Sequence, residues 1–217
     1  MNKFARNNNT HKKYEEKKAV LIVGEGKNTE KIYFNQYKKS KKFNKVSITV
    51  KSAGNTTDAS GIVKYACNLQ ERHDKEIFEK IFCVIDMDVT AKDKTVENNF
   101  TKAKVLAKKC KIDLIISMPC IELWFLLHFK FYNKPETNCK NIIDELMEFE
   151  KNYSKSESNL EKIDFYNKYS DNLIIAIDNA KKLDSKNNYK YKEVYPVTYI
   201  YKIIEAIERF ENTKKKI

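Results

Sequence analysis

Apolar positions in the first 118 residues gather into short runs, separated by segments with helical spacing. Ala19 to Val23 is the first run, and Thr29 to Lys39 follows as a helix with Ile32, Tyr33, Phe34 and Tyr37 on its apolar side. Val46 to Val50 alternates apolar and polar residues, which predicts a second strand. From Asp58 to Arg72, Ile62, Tyr65, Ala66 and Leu69 recur at three- and four-residue steps, the mark of a helix face. Ile81 to Ile85 is the most apolar run and predicts a strand buried on both sides. Val96 to Lys109 is helical again, and Leu114 to Ile116 supplies a fourth strand. Strands alternating with helices predict an α/β fold built on a mostly parallel sheet flanked by helices. In such sheets the working site lies at the carboxyl ends of the strands.

The pattern changes after Pro119. Ile121 to Phe131 reads as a dense apolar helix carrying Trp124, the single tryptophan. Asn141 to Glu150 and Asn172 to Leu183 read as amphipathic helices. A last helix is expected to open at Pro196, since proline suits the first helical position, with Ile200, Ile203, Ile204 and Ile207 on one face. The expected organisation is a basic arm over 1–18, an α/β core over 19–118 and a mainly helical C-terminal extension over 119–217. No internal repeat and no Pro/Gly/Ser linker marks a hard boundary.

Charge adds a partner class. Of the 217 residues, 42 are Lys or Arg and 30 are Asp or Glu, a formal charge of +12. Such an excess suits a nucleic-acid partner, because phosphate backbones reward clustered cations; a solvated basic surface is the plainer reading. The cysteines Cys67, Cys83, Cys110, Cys120 and Cys139 form no CxxC pair, and their apolar surroundings predict buried free thiols in a reducing cytoplasm. With three histidines, one of them His11 in the arm, a zinc site has little support. No apolar run approaches the length of a membrane span and the first residues lack a signal-peptide core, so a soluble cytoplasmic protein without a membrane partner is expected.

The candidate chemistry sits where strands end. In "LIVGEGKNTEKIYF", residues 21–34, Glu25 stands between Gly24 and Gly26, and Glu30 follows in the first turn of a helix. The two glycines permit a sharp turn and close approach. Asn28 or Thr29 is placed to cap the helix, and its dipole favours a carboxylate at Glu30. The segment is no P-loop, since the second Gly and the Lys-Ser/Thr pair are missing. In "IFCVIDMDVT", residues 81–90, Asp86 and Asp88 lie two apart in extended chain and so face the same way. Two carboxylates held together favour a hard cation, Mg²⁺ or Mn²⁺. Trp124 reads as core and His128 as a packed or site-lining histidine, and the Tyr/Lys alternation in "YKYKEVY", 189–195, suits base stacking or a solvated loop.

A Glu after the first strand and an Asp-x-Asp after the third resemble the TOPRIM domain of topoisomerases, primases and OLD-family nucleases. "LIVGEGKNTEKIYF", "VIDMD", "SMPCIELWFLLHF" (117–129) and "YPVTYIYKIIEAI" (195–207) further resemble the RloB family, TOPRIM-like proteins of bacterial abortive-infection and phage-defence loci. The resemblance covers about residues 19 to 210. It implies a metal-dependent nuclease whose two-metal site is made by Glu25, Glu30, Asp86, Asp88 and Glu122, with Ser117 as a further ligand or hydrogen-bond donor. It also implies a distal lysine, for which Lys162 is the best match and Lys155 and Lys168 compete. Met118 departs from the family, where Asn is common. The implied partners are RNA, such as tRNA, or DNA, and an ABC- or AAA-type ATPase encoded nearby; an oligomer is compatible.

Two other readings compete. "IFCVIDMDVT" also resembles the first motif of haloacid-dehalogenase phosphatases, with Asp86 as nucleophile and Asp88 as general acid. That motif ordinarily opens its fold, whereas some 80 residues precede it here, and Glu25 and Glu122 would go unexplained. The third reading is a non-catalytic nucleic-acid-binding or regulatory module.

Overall fold

The structure, a computed structural model, describes residues 17–26, 28–54, 56, 58–72, 78–87, 94–136, 138–186 and 196–213; 94–96 and 186 are described by backbone alone. Four parallel strands form the sheet: β1 (Lys18–Gly24), β2 (Val46–Ser52), β3 (Phe78–Asp86) and β4 (Asp113–Met118). A two-residue strand, β5 (Val197–Thr198), runs antiparallel beside β4, giving the order β2-β1-β3-β4-β5. The parallel α/β expectation holds.

The central strands are apolar throughout because each feeds two cores. Val20, Ile22, Phe82 and Val84 enter one, while Leu21, Val23, Ile81, Cys83 and Ile85 enter the other. Side chains alternate across a strand, so a strand covered on both faces must be apolar at every position. On the second face lie α2 (Ala59–Arg72) and α3 (Lys94–Cys110). On the first face α1 (Thr29–Lys41) packs with α4 (Glu122–Leu126), α5 (Cys139–Leu146), α6 (Glu157–Ile163), α7 (Phe165–Lys168), α8 (Leu173–Lys186) and α9 (Ile200–Asn212). The C-terminal helices share that core with α1 on one face of the sheet. Trp124 is fully buried in that layer, and its indole N–H donates to Tyr33 Oη at 2.8 Å.

Three local expectations change. Pro196 does not open the last helix: Val197 and Thr198 pair with Met118 and Ser117, and α9 begins at Ile200. Two buried β-branched residues complete the sheet edge there, and their burial outweighs the local helix signal. The helix expected over Ile121 to Phe131 is α4 alone, after which His128 and Phe129 N–H groups turn tightly onto Phe125 and Leu126 carbonyls. The cysteines, expected free, are paired as Cys67–Cys110 and Cys120–Cys139; Cys83 is buried and free. Separations of 43 and 19 residues hid these pairs, and the packing of α2 on α3 and of α4 on α5 brings them together. Among the described residues no helix is long and apolar enough to cross a membrane.

Candidate carboxylate site

Glu25 follows β1 and Asp86 ends the adjacent β3, so the β1–β3 pairing alone brings them together. Glu25 Oε2 accepts the Asp86 backbone N–H at 3.3 Å. Glu30 approaches from the first turn of α1. Asn28 makes no side-chain cap there; the Glu30 carboxylate folds back instead over Gly24 and Gly26, where the backbone amides of Gly26 and of Glu30 itself favour its charged form. The two glycines exist for this contact. A Cβ on Gly24 would stand 2.9 Å from Glu30 Cβ, and one on Gly26 would stand 2.8 Å from Glu30 Oε2.

Glu122, at the start of α4, closes the group from the other side. It is fully buried; Oε1 accepts the Tyr153 hydroxyl at 2.8 Å and faces Lys155 Nζ at 3.1 Å. Tyr153 and Lys155 lie in the loop between α5 and α6. Burial would lower the Lys155 pKa, but the charges of Glu122, Asp86 and Glu30 override it and leave it raised. The half-exposed Lys155 is thus the cation that binds the group together.

The acids are held against their preference. Burial raises Asp86 well above the carboxylate range, and the charges of Glu30 and Glu122 add to it. Its Oδ1 is the one buried side-chain oxygen or nitrogen among the described residues that lacks a hydrogen-bond partner. Burial pushes Glu25 up to about 7 despite the Asp86 N–H, and Glu30's charge contributes. Glu30 is raised by burial and then by Glu122. Among the described residues no three of these four carboxylates bring oxygens within 4.8 Å of one another. They share a field, not yet a coordination sphere.

This arrangement costs stability once Asp86 ionises. A carboxyl whose pKa is raised on folding stabilises the native state below its unfolded pKa and loses that contribution as pH rises through the folded value. Asp86→Asn is therefore expected to raise the melting temperature at pH 8, by about 1–3 kcal/mol of stability on the scale of an unsatisfied buried group, and to change it little at pH 4. A lower melting temperature at pH 8 would contradict the strain described here.

The remaining candidates fall out as follows. Ser117 is fully buried at the register position opposite Asp86, and its hydroxyl is shared with Thr198 Oγ1 at 2.8 Å. Lys162 lies exposed in the last turn of α6, and Lys168 pairs with Glu150; Lys155 is the lysine that reaches the acids. Asp88 and 189–195 lie outside the described residues, as does most of the arm. His128 is packed in the core, with Nδ1 against the Trp124 carbonyl at 2.9 Å, and burial lowers it to about 4. Sequence reasoning missed Tyr153 and Asp58. Asp58 caps α2, accepting from Ser60 Oγ and the Gly61 N–H, and its charge bears on Glu25. An Asp-x-Ser before a helical run was the available signal for Asp58, and nothing local marked Tyr153.

A mostly parallel sheet covered on both faces, with part-buried acids at the carboxyl ends of its first and third strands, defines an α/β protein with an acidic strand-end site. The chain belongs to the RloB-like family, whose model, described as RloB-like protein, matches residues 20–207. No curated protein and no solved structure matches the chain.

Proposed function

We propose that this protein is a divalent-metal-dependent nuclease, hydrolysing phosphodiester bonds of RNA, such as tRNA, or of DNA. The observation that carries the reading is Asp86 Oδ1, buried and unpartnered among Glu25, Glu30 and Glu122. All four acids offer hard oxygen donors, the set that suits Mg²⁺ or Mn²⁺. Asp86, Glu25 and Glu30 would hold the metal, with Glu122 at the edge and Asp88, two residues beyond Asp86, as a further donor. Bound there, a divalent cation stabilises the attacking and leaving oxygens of the displacement.

The chain's own groups divide the remaining work. Glu25, poised near 7, can hold or release a proton at Oε1 or Oε2 close to neutral pH. Lys155 carries a positive charge at the mouth of the group and can pair with a substrate phosphate oxygen. Tyr153 fixes the Glu122 carboxylate. The formal charge of +12 favours a polyanionic substrate. Membership of the RloB-like family supports a role as effector of an anti-phage abortive-infection system, with a partner ATPase and a TOPRIM relationship as further expectations. In the phosphatase reading Glu25 is remote from the chemistry, and its 3.3 Å contact with Asp86 N–H speaks against that.

Thermal unfolding with Mn²⁺ tests the metal. A ligand bound to the native state alone, at about 100 times its Kd, adds about 2.7 kcal/mol, or roughly 5–10 °C for a chain of this size. Asp86→Asn, with or without Asp88→Asn, should remove that shift while the fold persists. An undiminished Mn²⁺ shift in the double variant would sink the site as drawn.

A further inference from the structure

The acids are not the only donors that converge in this molecule. Cys120, Glu122 and Cys139 each place one ligand atom so that all three lie within 4.8 Å of one another, the single such set among the described residues. Cys139 Sγ is 3.4 Å from Glu122 Oε2 and 3.4 Å from Lys155 Nζ. Glu122 thus turns one oxygen toward Tyr153 and Lys155 and the other toward sulfur.

We propose that Cys120, Cys139 and Glu122 form a redox-gated site for a thiophilic divalent cation, Zn²⁺: a disulfide when oxidised, a three-ligand metal site when reduced.

The chemistry of the donors carries the assignment. Two thiolates and a carboxylate match zinc's preference for sulfur with nitrogen or oxygen, and three protein ligands leave a fourth position for water. With Zn–S bonds of about 2.3 Å, tetrahedral donors stand about 3.7 Å apart. The Glu122–Cys139 edge already has nearly that length, and the two bonded sulfurs must separate to it. Two thiolates and a carboxylate exceed the charge of Zn²⁺ by one, and Lys155 supplies the compensating positive charge beside Cys139. Tyr153 orients the Glu122 carboxylate through its other oxygen, the kind of support that ligating groups require.

The frame survives loss of the bond. Ile142 and Leu146 anchor α5 in the same core as Leu123, Trp124 and Leu126 of α4, so the two cysteines stay adjacent without it. Cys139 is partly exposed, which gives reductant and metal a way in. A dithiol reductant transfers two electrons to the S–S bond, which breaks into two thiols as the reductant leaves as its own disulfide. Zinc then displaces the two thiol protons to solvent. The second pair, Cys67–Cys110, has no carboxylate or imidazole grouped with it among the described residues and serves as an internal control. The inference rests on these donors and stands whether or not the protein cleaves phosphodiesters.

Cobalt substitution provides the test. The full-length chain, reduced with a phosphine and desalted without oxygen, is titrated with Co²⁺ in the presence of Mg²⁺. One equivalent should produce sulfur-to-cobalt charge-transfer absorption with tetrahedral d–d bands, and Zn²⁺ should bleach both. The oxidised chain should give neither. Zinc should also protect two of the five cysteines from a thiol reagent. Cys139→Ser should weaken binding by more than about 100-fold, since even outer partners of metal ligands are worth 10–100-fold. Glu122→Gln should weaken it by about 10-fold or more, and Cys67→Ser with Cys110→Ser should leave it unchanged. Circular dichroism of each variant separates lost binding from lost fold. A reduced wild-type chain without the charge-transfer band, or a band that persists in Cys139→Ser, overturns the site and leaves an ordinary disulfide.

Discussion

Glu25→Gln is expected to lower metal-dependent cleavage of tRNA or plasmid DNA by about 100-fold or more, the usual scale for a general acid–base group. The substitution keeps the shape and removes the titrating oxygen. It acts at the carboxyl that burial pushes up to about 7 and that sits 3.3 Å from the Asp86 N–H. If Glu25 serves as the base, cleavage rises with pH through the Glu25 pKa, which a bound cation sets below its metal-free value of about 7; that limb should vanish in Glu25→Gln. Lys155→Met should also depress the rate, since it strips the cation from the acids, whereas Lys162→Ala should not. The assay is run with Mg²⁺ and with Mn²⁺, alone and with the partner ATPase proposed above, so that an inactive isolated chain is not misread. Full activity in Glu25→Gln would defeat the mechanism.

Protonation of His128 should by itself cost this protein about 3 kcal/mol of stability between pH 7 and pH 4. The imidazole is almost fully buried and its pKa is lowered by that burial from 6.5 to about 4. At pH 7 both folded and unfolded chains hold it neutral. As pH falls below 6.5 the unfolded chain binds a proton that the folded chain refuses, so stability drops until about pH 4, at about 1.4 kcal/mol per unit. Glu25, Glu30 and Asp86 act in the opposite direction, because their raised pKa values make protonation favour the folded state. The His128 effect is therefore read as a difference. His128→Asn retains a donor for the Trp124 carbonyl, and its denaturation midpoint should rise progressively relative to wild type as pH falls from 6.5 to 4. Parallel curves would show that His128 does not govern the acid limb.

Much of this protein is determined by the sequence alone. The apolar runs at 19–23 and 81–85 require strands covered on both faces, and the helices between them favour a parallel sheet; from that, Glu25 and Asp86 both lie at its carboxyl end, and the β1–β3 pairing makes them meet. Those features are local in period or forced by topology, so a reader of the chain can reach them. The glycines flanking Glu25 were legible as sites of close approach, but what approaches is Glu30 itself, a contact that depends on how α1 docks.

Packing decided the rest. Val197 and Thr198 join the sheet because an edge is exposed beside β4, which no local propensity reports. The choice of Lys155 over Lys162 depends on where the α5–α6 loop lies, and loops carry no periodic signal. The cysteine pairs, and with them the Cys120–Glu122–Cys139 donor set, depend on α4 meeting α5 across 19 residues of chain. Periodicity constrains the direction of a side chain along its own element. Its neighbours from other elements are chosen by the burial of apolar surface, a sum over the whole fold that only the tertiary structure contains.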